Sequence, residues 1–245
     1  MKYLLTVSYD GTHFCGWQKQ GLLRTVQLVM EDAAREIFKA ETKVTASGRT
    51  DAGVHALGQV CELSADTTIP AEKLRECFNA KLPEDVRVLR SAAVEESFDI
   101  TRAAKQKTYR YTAYYAETEL PLFERYAVRL EFKPLLERMR EAAKLLVGEH
   151  DFAAFRAAGY TSKTSVRTLY EVKVEERTED GAAIYTITVR GNGFLYNMVR
   201  ILAGELFAVG CGKDTGILKA LETGERKYLA KTMPSKGLTM VKVEF

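Results

Sequence analysis

A carboxylate set between glycines is the first feature that suggests chemistry. It lies in Ser47-Gly48-Arg49-Thr50-Asp51-Ala52-Gly53-Val54-His55-Ala56. Glycines let a backbone turn sharply and let a ligand approach closely. An arginine two residues before the aspartate, Arg49, can offset the cost of desolvating a carboxylate. An ionised, partly buried carboxylate is what a nucleophile or general base requires. The plainer reading has Asp51 closing a turn with its own backbone, and spacing alone favours that one.

Three further strings carry candidate residues. Lys107-Thr108-Tyr109-Arg110-Tyr111 puts Tyr109, Tyr111, Ala113 and Tyr115 on one strand face and Arg110 on the other. Aromatics among basic residues can stack a nucleobase, whereas a core strand uses tyrosine for bulk. Arg190-Gly191-Asn192-Gly193-Phe194-Leu195-Tyr196-Asn197-Met198-Val199-Arg200 has two glycines at a strand-to-helix junction but lacks the third glycine of a dinucleotide fingerprint. Arg200 neighbours an apolar helix face and either snorkels outward or meets an acid, the first being favoured when it is taken alone. Tyr9 to Gln20 is a glycine-punctuated loop with the chain's only tryptophan, Trp17, read either as an exposed aromatic that contacts nucleic acid or as a packed ring.

The elements that position these strings follow from periodicity. Tyr3, Leu5, Val7 and Tyr9 alternate as in a half-buried strand. Val26, Val29, Met30, Ala33, Ala34, Ile37 and Phe38 keep helical spacing, with Thr25 as N-cap. Strands near 43–46, 57–63 and 86–94 and a helix from Pro70 to about Asn79 complete a first half. The second half repeats that order. It has a strand at 108–116, a helix at 134–148, a hairpin around Asp180-Gly181, an apolar helix at 195–209 and a last strand at 238–245. The fold class expected is α+β, two similarly built halves, each an antiparallel sheet with helices on one face in the manner of a ferredoxin-like split unit. The halves are taken as 1–100, carrying the aspartate loop, and 101–245.

Composition narrows the classes. The 245 residues are 46% hydrophobic and 28% charged, as in an ordinary soluble protein, with no apolar run that would span a membrane. The N-terminus enters a strand with no signal-peptide pattern, so a cytoplasmic location is expected. Four scattered cysteines and three histidines without ligand spacing predict neither a disulfide framework nor a metal. The net charge of +3 is small, but the basic residues segregate. Arg102, Lys105, Lys107 and Arg110 form one acid-free stretch, Arg156, Lys163 and Arg167 a second, and Arg226 to Lys236 adds a third run. Such segregation suits a polyanion on one face.

Taken together, the strings resemble the tRNA pseudouridine synthase A family. The matching segments are Tyr9 to Gln18, Arg24 to Gln27, Gly48 to Ala56, Lys107 to Tyr111, Val166 to Thr168 and Gly191 to Arg200, in the family's order. The resemblance implies that Asp51 is the catalytic aspartate and that Arg49 displaces the target nucleotide from its stack. It implies that Tyr109 packs on the uracil and that Arg200 pairs with the aspartate in a cleft between the halves. It further implies uridine isomerisation at positions 38, 39 and 40 of the tRNA anticodon stem-loop by a homodimer without cofactor or metal. One departure is Thr101, which stands where the family usually has an arginine, with Arg102 one residue later. The rivals are a non-catalytic RNA-binding module, a glycoside-hydrolase-like enzyme lacking its second carboxylate, and a synthase with another RNA target.

Overall fold

The computed structural model describes residues 1–159 and 164–245 and divides the chain into two compact units. Met1–Lys105 with Thr239–Phe245 form unit 1, and Gln106–Leu238 form unit 2. The segment 239–245, numbered with the second half in the sequence reading, thus lies in unit 1. Parallel pairing accounts for this: Thr239 and Met240 lie opposite His55 and Ala56.

Unit 1 is built around β1 (Lys2–Tyr9), α1 (Val26–Phe38), β2 (Thr45–Ala46), β3 (His55–Ser64), α2 (Leu74–Asn79), β4 (Val86–Val94) and the short α3 (Ile100–Ala103). β1 pairs antiparallel with both β3 and β4, and β2 pairs with β3. The alternation in β1 buries Tyr3, Leu5, Val7 and Tyr9. Burial of such side chains stabilises by about 1.5–3 kcal/mol each. α1 buries Val26, Met30, Ala33 and Ala34, and the Thr25 hydroxyl caps it by accepting the Leu28 N–H. Pro70 opens a single 3-10 turn before α2, so the helix starts four residues later than expected.

Unit 2 contains β5 (Gln106–Tyr115), β6 (Val128–Arg129), α4 (Leu136–Lys144), β7 (Gly148–Asp151), β8 (Val166–Glu179), β9 (Ala182–Gly191), α5 (Met198–Gly210) and α6 (Ile217–Thr223). Its antiparallel sheet runs β5-β9-β8-β7, with β6 parallel to β5. Asp180 and Gly181 both adopt positive φ (48° and 79°), which turns the β8–β9 hairpin as Asp-Gly predicts. α5 is apolar on nearly all sides, and its Phe207 ring lies 6.3 Å from Tyr111 and 6.4 Å from Tyr185. β7 and α6 were not expected from the sequence; both are short, with only Ile217 and Ala220 buried in α6 and no fully buried residue in β7. Among the described residues no helix is long and apolar enough to cross a membrane.

Candidate active site

In unit 1 the aspartate loop is held by the two strings that precede it in sequence. The Thr50 carbonyl accepts the Trp17 N–H at 3.0 Å, and the Gly53 N–H donates to the Phe14 carbonyl at 3.2 Å. Arg24 to Gln27 closes the same arrangement, since the Val26 N–H donates to Gly16 and the Gln27 N–H to Trp17. Gly16 has φ +85°, and a Cβ there would stand 2.7 Å from the Thr50 oxygen and 3.2 Å from the Asp51 carbonyl carbon. Only glycine fits that combination of backbone angle and close approach. Trp17 is 2% exposed and packs tilted against Tyr9 at 6.1 Å, so of the two readings the sequence allows it is the packed ring, a buried prop and not an exposed contact.

Buried side chains fix the loop from below. The Tyr9 hydroxyl is 2.8 Å from Thr50 Oγ1, both residues being buried. Burial pushes the Tyr9 phenol above its ordinary pKa, so it remains protonated. Gln59, fully buried in β3, accepts from Ser47 Oγ at 3.0 Å and donates Nε2–H to the Gly48 carbonyl at 2.9 Å. The Gly11 N–H donates to His55 Nδ1 at 3.0 Å. On this frame Asp51 is half-exposed and its carbonyl accepts the Val54 N–H at 3.1 Å. Arg49 stands exposed on the same loop. The turn-closing role and a chemical role are therefore compatible: the Asp51 backbone makes the turn while the side chain is partly open to solvent.

In unit 2 three strings meet around β5 and the start of α5. Lys107 lies opposite Gly191 and Tyr109 opposite Val189. Tyr109 is 8% exposed, with its ring edge-on to Phe194 at 5.0 Å. Tyr111 is fully buried and donates its hydroxyl to the Pro234 carbonyl at 2.8 Å, so it is the core tyrosine of the pair. Burial pushes the Lys107 ammonium below the usual lysine range. Asn192 holds Val166 to Thr168 in place, its Oδ1 accepting the Thr168 N–H at 3.0 Å and its own N–H donating to the Thr168 carbonyl at 3.1 Å.

Arg200 does not snorkel. Its Nε donates to the Met233 carbonyl at 2.7 Å and an Nη to Asn197 Oδ1 at 2.6 Å. Asn197 reaches it because the residue before α5 takes a left-handed turn, φ +60°, and its side chain caps no N–H of the helix. The segment Gly193–Asn197 thus touches both candidates, Tyr109 through Phe194 and Arg200 through Asn197. Asp51 and Arg49 belong to unit 1, and Tyr109 and Arg200 to unit 2.

Thr101 has a local role of its own. It lies in α3, where Asp99 accepts its N–H at 2.9 Å and its hydroxyl at 2.6 Å, leaving Arg102 exposed. Of the basic residues read from sequence, Arg156 and Arg167 are half-buried, and Lys163 lies outside the described residues. Sequence reasoning missed Gln59, a polar residue in an apolar strand and so a readable signal. It also missed the Met233 carbonyl, for which no side-chain signal exists. Among the described residues no three His, Cys, Asp or Glu side chains are placed to hold a metal ion.

Comparison with known proteins bears on what this arrangement does. Residues 5–101 and 142–245 match the family model described as tRNA pseudouridine synthase. A tRNA pseudouridine synthase A of Thermoanaerobacter sp. strain X514 is 38% identical over 98% of each chain. That of Bacillus pumilus strain SAFR-032 is 43% identical over 99% of this chain and 98% of its own. A tRNA pseudouridine synthase A 2 of Clostridium perfringens strain 13 is 38% identical over 98% of this chain and 97% of its own.

Proposed function

The chain belongs to the tRNA pseudouridine synthase family, and on that premise we propose that it modifies positions 38, 39 and 40 of the tRNA anticodon stem-loop with Asp51 as nucleophile. The enzyme is an isomerase that turns uridine of tRNA into pseudouridine. The reaction breaks the N1–C1′ bond, rejoins the same uracil through C5, releases the C5 proton and returns a proton to N1. No electron or group donor enters that balance.

The observation that carries the role of Asp51 is the frame beneath it, in which Tyr9, Gly16, Trp17 and Gln59 all bond to or abut residues 48–53. A turn that merely joins two strands needs no such support from two separated segments. Fixing a nucleophile against its target is a large part of catalysis, since misplacement by about 1 Å costs on the order of a hundredfold. Arg200 supplies the positive charge that keeps Asp51 ionised as RNA excludes water from it. Arg49, exposed on the same loop, enters the helix as the target base leaves its stack, an extrusion that costs a few kcal/mol. Tyr109 covers the released uracil while it turns. Arg156, Arg167 and the other basic residues of unit 2 hold phosphates. The enzyme acts in the cytoplasm as a homodimer.

The test is to incubate the protein with unmodified tRNA transcripts and map pseudouridine along the product. Isomerisation confined to positions 38 to 40 is expected. Isomerisation only elsewhere in tRNA would overturn the assignment of the anticodon stem-loop.

A further inference from the structure

α5 carries one carboxylate that the proposed chemistry does not use. Glu205 is fully buried and makes three polar contacts, each to a different part of the chain that follows. Oε2 accepts from Lys213 Nζ at 2.8 Å and from the Ala230 N–H at 2.7 Å, and Oε1 accepts the Gly216 N–H at 3.0 Å. A buried carboxylate met by an ammonium and two N–H groups is the arrangement in which burying it is tolerable.

What Glu205 holds is the segment that orients Arg200. Along α5, Glu205 takes Ala230, and Gly204 faces Lys231 so closely that a Cβ would stand 2.0 Å from its carbonyl oxygen. One turn earlier, Arg200 exchanges two bonds with Met233: its Nε donates to the Met233 carbonyl, and its own carbonyl accepts the Met233 N–H at 3.2 Å. Residues 230–233 therefore lie antiparallel to residues 200–205, fixed at one end by Glu205 and coupled to the Arg200 guanidinium at the other. The rise of α5 over those residues is about 7.5 Å at 1.5 Å each. A displacement at Ala230 has only three residues of chain in which to relax before it reaches the Met233 carbonyl.

We propose that Glu205 is a positioning residue for Arg200, acting through the 230–233 segment to aim the guanidinium. The inference rests on the proposed role of Arg200. Glutamine at 205 retains the shape but has one acceptor oxygen and a donor NH2 in place of two acceptors. Either the Ala230 or the Gly216 N–H then faces a donor, and a buried N–H left without an acceptor moves its segment.

The test is a double-mutant cycle on turnover at saturating tRNA, with Glu205→Gln, Arg200→Lys and the double variant, and KM and thermal unfolding measured beside kcat. Glu205→Gln is expected to lower kcat about tenfold with KM little changed, and to add little to the larger loss of Arg200→Lys. Gly204→Ala, which displaces Lys231 without touching the carboxylate, is expected to give the same pattern. If Glu205→Gln and Gly204→Ala are folded but as active as the parent, or if their losses multiply in full with that of Arg200→Lys, the inference is overturned. If Arg200→Lys is itself fully active, the proposed role of Arg200 fails instead. Should Glu205→Gln not fold, Gly204→Ala decides by the same criteria.

Discussion

Replacing Gly16 by alanine perturbs the aspartate loop without touching any group proposed to react. The alanine methyl would lie 2.7 Å from the Thr50 carbonyl oxygen, and ordinary contact begins at 3.4 Å, so the two segments must part by about 0.7 Å. Left-handed backbone at φ +85° adds a strain of about 1–2 kcal/mol for a residue with a Cβ. For a chain of this size that strain lowers Tm by roughly 2–8 °C, leaving the protein folded at assay temperature. The displacement falls on the peptide joining Thr50 to Asp51, so the carboxylate moves with it. A shift approaching 1 Å predicts a loss of kcat between about tenfold and a hundredfold. The assay is tritium release from tRNA labelled at uridine C5, at saturating tRNA, with binding measured separately. A folded Gly16→Ala protein that turns over within about twofold of the parent would refute the claim that residues 9–18 hold Asp51 in place.

Three further outcomes follow from the same contacts. Tyr9→Phe leaves the buried Thr50 hydroxyl without its partner and should cost about 1–2 kcal/mol in denaturant unfolding, while unchanged stability would show the bond to be idle. Arg167→Ala should weaken tRNA binding and reduce the log–log salt slope by about 0.7–0.9; an unaltered slope would remove Arg167 from the phosphate contacts. The third concerns Glu124, whose carboxyl is held below the usual range by Lys236 and by the Tyr114 hydroxyl. A carboxyl depressed on folding contributes stability that is full above its ordinary pKa and is lost as pH falls through its folded value. Glu124→Gln should therefore lower Tm slightly at pH 7, within the ~1 kcal/mol of half-exposed pairs. That difference should close below about pH 4, and a difference that widens in acid would contradict the assignment.

Much of the fold was legible because its elements are long and strongly patterned. α1 begins at Val26 and ends at Phe38 as its spacing requires, since the Thr25 cap and the apolar stripe agree. The Asp180-Gly181 turn was legible because few other residues accept positive φ. α5 begins at Met198, three residues later than its apolar run suggests, because Asn197 spends its backbone on a left-handed turn. For Trp17 the sequence left a choice between a nucleic-acid contact and a packed ring: a glycine-rich loop looks solvated in sequence, whereas here it folds under residues 50–53 and the ring is packed. The site strings were readable as residue types, but their supports were not. Tyr9 with Thr50, and Arg200 with the Met233 carbonyl, lie 41 and 33 residues apart, and one of the partners is a backbone atom.

The central claim is that Asp51 is the nucleophile, and Asp51→Asn tests it most directly. The substitution preserves size and removes the negative charge. The measurement is tritium release from C5-labelled tRNA in a single turnover, beside tRNA binding by the same protein. Release by the parent and none by Asp51→Asn, with binding retained, is the predicted result. Release by Asp51→Asn at a rate close to that of the parent would contradict it and require the reacting group to be sought elsewhere in the chain.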